Sequence, residues 1–293
     1  MSERFVILGP GRMGLALGAA LRLTDEVERL VYIGRGLDPP PHPLFDAGSR
    51  GPGAEYMLGP TRIPGDTTIL LLAVPDSALA EVAHDIEASG PAPPGCVALH
   101  LSGALSSDVL EPLHRAGYAI GSMHPLQSVA DPWLAGDRLL DVAFAVTGEP
   151  AAVRAARRII DGLDGRAFVI PPNFRSLYHA AAVMASNYLV AIAATASRWL
   201  NEAGVPSDEA LPALLPLMQG TLDNLKHLGV SAALTGPVAR GDADTIRMHL
   251  SRLSASDRSL YCALGRETLS TARAAGLDPM KAEEIEALLS VDS

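Results

Sequence analysis

Lysine is nearly missing from this chain: Lys226 and Lys281 are the two it has, among 33 acidic residues and a formal net charge of −10. No basic excess is available to cover a polyanion, so a nucleic-acid partner is excluded, although a local basic pocket for a phosphate is not. Cysteine is almost as scarce. Cys96 and Cys262 lie far apart and form no CxxC pair, which excludes a disulfide framework or a cysteine zinc site. Buried thiols in a reducing compartment fit better. The opening MSERFVILGPGRMG lacks a signal-peptide pattern, because its charges are mixed and its apolar run breaks at glycines. A cytoplasmic location is expected. With 48% hydrophobic and 19% charged residues, the 293 positions suit one large or two medium domains.

Only one stretch approaches the length of a membrane span, LYHAAAVMASNYLVAIAATA at 177–196. Arg175, His179 and Asn187 are costly in lipid, and no second span accompanies them. A core helix with a polar stripe is expected, and no membrane partner.

Short apolar runs ending in turn residues alternate with helical patterns through the first half. FVILG (5–9), VYIGR (31–35), TTILLLAVPD (67–76), CVALHLSG (96–103), YAIGSMHP (118–125), DVAFAVTGEP (141–150) and RAFVI (166–170) read as strands. The stretch from about Leu37 to Gly65 reads as irregular, given PPPHP and GPG. Strand–helix alternation predicts an α/β, doubly wound, Rossmann-like parallel sheet. After PPN (171–173) no strand pattern recurs; helices are predicted at 174–203, 207–228, 242–253, 256–275 and 280–289. The boundary is therefore expected between a domain at 1–171 and an all-α domain at 172–293.

Gly9-Pro10-Gly11-Arg12-Met13-Gly14 matches GxGxxG, directly after a strand and opening a helix. The first glycine permits a tight turn, the second a close approach of a pyrophosphate, and the third helix–strand packing. The helix N-terminus favours the anion. A dinucleotide enzyme for NAD places Asp or Glu about 20 residues on. Here the second strand ends Ile33-Gly34-Arg35-Gly36, with no carboxylate. Arg35 suits a 2′-phosphate, so NADP is the expected cofactor, with Arg12 as a second phosphate contact. Val74 and Pro75 of AVPD end the central strand and are expected beside the nicotinamide ribose; a plain strand-end turn is the alternative.

HLSG leaves Ser102 at a strand end, and GSMHPLQS leaves His124 at another. A hydroxyl and an imidazole there can bind a substrate carboxylate or donate a proton; a satisfied structural role is the alternative for each. Helical spacing puts His179, Val183, Ser186 and Asn187 on one face, with Tyr178 turned aside. Such a stripe needs hydrogen-bond partners or a wet cavity. In LTGPVARGD (234–242), Asp242 reads first as a helix N-cap.

GPGRMG, LLAVPD, HLSGAL, GSMHPLQS, LYHAAAVMASNYL and LTGPVARGD follow one another over nearly the whole chain. Together they resemble a family that joins a Rossmann-like domain to a helical C-terminal domain of unknown function, within the broad superfamily of 6-phosphogluconate dehydrogenase, pyrroline-5-carboxylate reductase and ketopantoate reductase. The resemblance implies a C-terminal domain of the 6-phosphogluconate dehydrogenase type, NADP(H), a small-molecule substrate in a cleft, and a homodimer packed through C-terminal helices. It implies an oxidoreductase that reduces a small oxo acid or related carbonyl, ketopantoate among them. An imine reductase of the pyrroline-carboxylate kind and a non-catalytic NADP(H) sensor are the other readings. Many relatives use a lysine on the central helix as proton donor, and this chain has none at 174–203. His124 or His179 is then the expected donor, with Ser102 and Asn187 orienting the substrate and no metal involved.

Overall fold

In Ile69–Leu72, four consecutive apolar residues are all buried. Side chains alternate across a strand, so both sheet faces must be covered here. Ile69 and Leu71 enter one core cluster and Leu70 and Leu72 another. The computed structural model describes residues 3–24, 26–46, 53–59, 62–133 and 136–290. The chain divides into two compact units, Met1–Leu189 and Val190–Ser293.

The first unit contains β1 (Glu3–Leu8), α1 (Arg12–Leu21), β2 (Val27–Gly34), β3 (Glu55–Leu58), β4 (Ile69–Leu72), α2 (Leu79–Ser89), β5 (Val97–His100), α3 (Glu111–Arg115), β6 (Ala119–Pro125), β7 (Ala143–Gly148), α4 (Pro150–Gly162), β8 (Arg166–Val169) and α5 (Arg175–Ala185). The strands form one sheet in the order β3-β2-β1-β4-β5-β6-β7-β8. Helices α1 and α4 cover one face through Leu15, Leu17, Ala156 and Ile160. Helices α2 and α3 cover the other through Leu79, Ala83, Ile86 and Leu113.

Two sequence expectations are corrected here. The sheet is parallel from β3 through β6, but β7 runs antiparallel to β6, and β8 follows β7. The stretch read as irregular holds β3, an edge strand beside β2. Its four residues EYML are half-exposed, too short and too polar for a buried-strand pattern.

The strand register aligns the ends that matter. Leu8 pairs with Leu72, Leu72 with His100, and His100 with Ser122. The residues that follow β1, β4 and β5, together with the end of β6, therefore share the carboxyl edge of the parallel sheet, where open α/β sheets bind ligands.

The predicted helix at 174–203 is two helices. Ser186 (φ −118°, ψ −72°) ends α5, and α6 (Asn187–Glu202) begins after it. The second unit continues with α7 (Ser207–Ala233), broken by non-helical Gly229, then α8 (Pro237–Arg240), α9 (Ala243–Arg252), α10 (Ala255–Ala274) and α11 (Pro279–Leu289). Its core is Val238, Ile246, Cys262, Leu269, Ile285 and Leu289. Asp242 caps α9 by accepting from the Thr245 N–H at 3.0 Å. Both cysteines are buried thiols.

Candidate functional site

At the end of β1, Gly9 has φ +103°, and a Cβ there would lie 2.6 Å from the Ala73 carbonyl oxygen and 3.1 Å from Val74 Cγ1. A Cβ on Gly14 would lie 2.2 Å from the Gly9 carbonyl oxygen. These contacts draw the turn and α1 tightly against β4. Gly11 is the opposite case, with no atom within 4 Å of where its Cβ would be. It is the N-cap of α1 and brings no side-chain cap, so the first N–H groups of α1 face outward unbonded by side chains. Arg12 is exposed, Met13 is half-buried, Val74 sits against Gly9, and Pro75 is exposed at the start of a 3-10 turn. Arg35 is exposed immediately past β2.

Further along the same edge, polar side chains converge. Ser102 is 7% exposed. Its hydroxyl donates to Asp76 Oδ2 at 2.8 Å and accepts from the N–H groups of Ala104 (3.2 Å) and Leu105 (3.0 Å). The Ser102 N–H donates to His100 Nδ1 at 3.2 Å. The ring proton of His100 is then on Nε2, which donates to the Ser106 carbonyl at 3.1 Å. Ser102 thus shapes the turn that presents Gly103.

Gly103 faces the other half of the cluster. Its missing Cβ would lie 2.8 Å from both His124 Nε2 and His179 Nδ1. His124 comes from β6 and His179 from α5, and their ring centroids are 6.1 Å apart. His124 Nδ1 lies 2.5 Å from the Tyr178 hydroxyl. His179 Nδ1 is buried with no hydrogen-bond partner among the described residues. So Ser102, His124 and His179 come together, whereas Asn187 is exposed beyond the break at Ser186 and makes none of these hydrogen bonds. Tyr178 is not turned aside: it is the partner of His124.

Sequence reasoning also missed Arg175, the first residue of α5 and 2% exposed. Its Nη1 donates to Ser122 Oγ (2.8 Å) and Thr147 Oγ1 (2.7 Å), and its Nη2 to the Ser102 carbonyl (2.7 Å). The signal was faint: an arginine one turn before Tyr178, next to a proline break that reads as surface. Asp76 lies in AVPD next to Val74 and Pro75, and an aspartate at a strand-end turn reads as an ordinary turn residue.

Burial sets the protonation states. It pushes His124 down to about 4, with help from His179 and Arg175, and His100 down to about 4, with help from Arg175. It raises the Tyr178 phenol to about 12. Both imidazoles are neutral in the folded protein at pH 7, while an unfolded chain takes up their protons below about 6.5. Their stabilising contribution is therefore complete above pH 6.5 and is lost as the pH falls toward 4. The melting temperature is expected to drop across that window, and His100→Asn to flatten the drop. An equally steep drop in His100→Asn removes His100 as a cause.

Residues 3–125 match the family model of a Rossmann-like domain, and residues 142–268 match a domain of unknown function, DUF2520. No curated protein matches the chain. Among solved structures it is similar to protein TM1727 from Thermotoga maritima, at 25% identity and a TM-score of 0.62 over 95% of this chain and 98% of that one. It is also similar to protein BF3122 from Bacteroides fragilis, provisionally designated an NADP oxidoreductase, at 20% identity and a TM-score of 0.64 over 94% and 98%. A third likeness is to Plasmodium falciparum pyrroline carboxylate reductase, crystallised with NADP bound, at 13% identity and a TM-score of 0.59 over 98% of both chains.

Proposed function

We propose that this two-domain Rossmann-like protein is an NADP(H)-dependent oxidoreductase that reduces a small carbonyl compound, an oxo acid such as ketopantoate being the leading candidate. One observation carries the reading: the glycine cradle and the Ser102–His124–His179 cluster open on the same sheet edge. The cradle fits a dinucleotide, since Gly11 leaves room for a pyrophosphate and α1 offers unbonded N–H groups to it. Arg35 and Arg12 fit a 2′-phosphate, with no carboxylate at the end of β2 to bind ribose hydroxyls in its place. The likeness to the Bacteroides protein and to the NADP-bound reductase supports the same cofactor.

NADP(H), when bound, supplies the hydride. The chain manages the proton. With the Tyr178 O–H donating to Nδ1, the neutral His124 ring carries its proton on Nε2, the atom that faces Gly103. Nε2–H then donates to the substrate oxygen as charge develops there, Tyr178 passes its proton to Nδ1, and the half-buried phenolate left behind takes a proton from water. Ser102 holds the turn.

A second reading, reduction of a cyclic imine, draws on one observation. His124 is neutral, so the cluster holds no strong acid, and a protonated imine needs none. We also propose a homodimer packed through the C-terminal helices. The exposed apolar side chains of α7, Leu211, Leu215, Leu217, Leu222, Leu225 and Leu228, support it.

The test is NADPH consumption against small oxo acids and cyclic imines, run with wild type and Arg35→Ala. Turnover of an oxo acid is expected, and Arg35→Ala should weaken NADPH on the order of tenfold, the worth of a charged hydrogen bond, while sparing NADH. Equal weakening of both cofactors defeats the phosphate assignment. Binding of NADPH without turnover of any compound makes the protein a sensor.

A further inference from the structure

A buried charge is normally paired with an opposite one. Arg175 is 2% exposed, yet its guanidinium bonds two hydroxyls and a peptide carbonyl, and its Nε has no partner among the described residues. The groups facing it are His100, His124, Tyr178 and Asp76. The first three are neutral at pH 7. Asp76 is exposed and engaged by Ser102, so water screens its charge. Asp76 offsets the guanidinium in part, and no carboxylate among the described residues hydrogen-bonds to it. Its footprint is visible in both imidazoles, which it helps to hold in the neutral form against a weaker opposing pull from Asp76.

Position gives that charge a use. Nη2 grips the carbonyl of Ser102, and the next residue, Gly103, is where His124 Nε2 and His179 Nδ1 converge. A positive potential thus lies directly beneath the point at which the two imidazoles meet. We propose that Arg175 is a specificity-determining residue: its buried guanidinium under the Ser102–Gly103 turn, bonded to no carboxylate among the described residues, makes the site select carbonyl substrates that carry a carboxylate over protonated imines.

The reason is electrostatic. In a poorly hydrated site a like charge is repelled and an anion attracted far more strongly than in water. A carboxylate gains on binding, and the oxyanion that forms as a ketone is reduced gains again. An iminium is repelled before it reacts. The inference rests on the reductase reading, and it turns that reading toward oxo acids.

The experiment compares kcat/KM with NADPH for ketopantoate, its methyl ester and 1-pyrroline in wild type, Arg175→Lys and Arg175→Gln. Wild type is expected to favour the acid over the ester by about tenfold or more and over 1-pyrroline by more still. Arg175→Lys keeps most of that preference, and Arg175→Gln, which retains donors without charge, brings the acid-to-ester ratio close to one. An unchanged ratio in a folded Arg175→Gln, or a wild-type preference for 1-pyrroline, overturns the proposal. Calorimetry covers a variant that does not fold and an enzyme that turns over none of the three. Wild type with NADPH should bind 3-methylbutanoate at least about tenfold tighter than its amide, and equal binding overturns the proposal. Absence of turnover with all three compounds, by contrast, removes them as substrates, returns the reductase reading to the wider panel of oxo acids and cyclic imines, and leaves the charge preference to be read from binding.

Discussion

Gly14→Ala is expected to weaken dinucleotide binding severely. The new methyl carbon would lie 2.2 Å from the Gly9 carbonyl oxygen and 3.1 Å from Ala73 Cβ. Neither neighbour is the loose end of a flexible side chain, so the turn itself has to move. Overpacking of this kind costs ~1–3 kcal/mol in stability, and the shift of α1 away from β1 spoils the alignment of its N–H groups. NADPH affinity should fall by at least about a hundredfold, the loss of ~3 kcal/mol of charged hydrogen bonding. Gly11→Ala is the companion experiment. No atom stands within 4 Å of its Cβ, so the melting temperature should hold while affinity falls, because the methyl occupies the space a pyrophosphate needs. Fluorescence titration with NADPH and thermal melts separate the two effects. Wild-type affinity in both variants would remove the cradle from the proposed site.

Gly103→Ala should be as damaging to turnover while sparing the cofactor. Its methyl would sit 2.8 Å from both His124 Nε2 and His179 Nδ1, forcing the imidazoles apart. His124 is tethered to Tyr178 and cannot swing without breaking that hydrogen bond. A misplaced proton donor costs ~10²-fold or more in rate. The expected result is a kcat reduced by about a hundredfold with the Kd for NADPH unchanged. Loss of both in parallel would mean that the turn, not the donor, had been damaged.

How far the sequence discloses this molecule depends on whether a signal is local. The strands and the glycine cradle are legible because period and turn chemistry act within a few residues, and the FVILG–GPGRMG junction carries both. Strand β3 is not, since EYML is short and half-exposed and takes its place only by pairing with β2. The break at Ser186 is equally silent. An alanine-rich run has high helix propensity throughout, and neither glycine nor proline marks the change. The even stripe drawn from His179 to Asn187 fails for that reason. Ser102, His124 and His179 could be singled out by type and placement. Arg175 and Asp76 could not, because their roles come from partners 73 and 26 residues away in the chain, Arg175 with Ser102 and Asp76 with Ser102.

The contacts between α5 and β6 set a geometric phase. Arg175 meets Ser122, and Tyr178 meets His124. Three residues along a helix advance ~4.5 Å, and two along a strand ~6.6 Å. The reach of the arginine side chain absorbs the difference. Because the two couplings lie on one helical face, inserting a single residue between Arg175 and Tyr178 would rotate one against the other by ~100°, so that both could not be made at once. The helix therefore has one angular setting on the strand, and the charge-bearing and proton-bearing halves of the site are geared to each other through it.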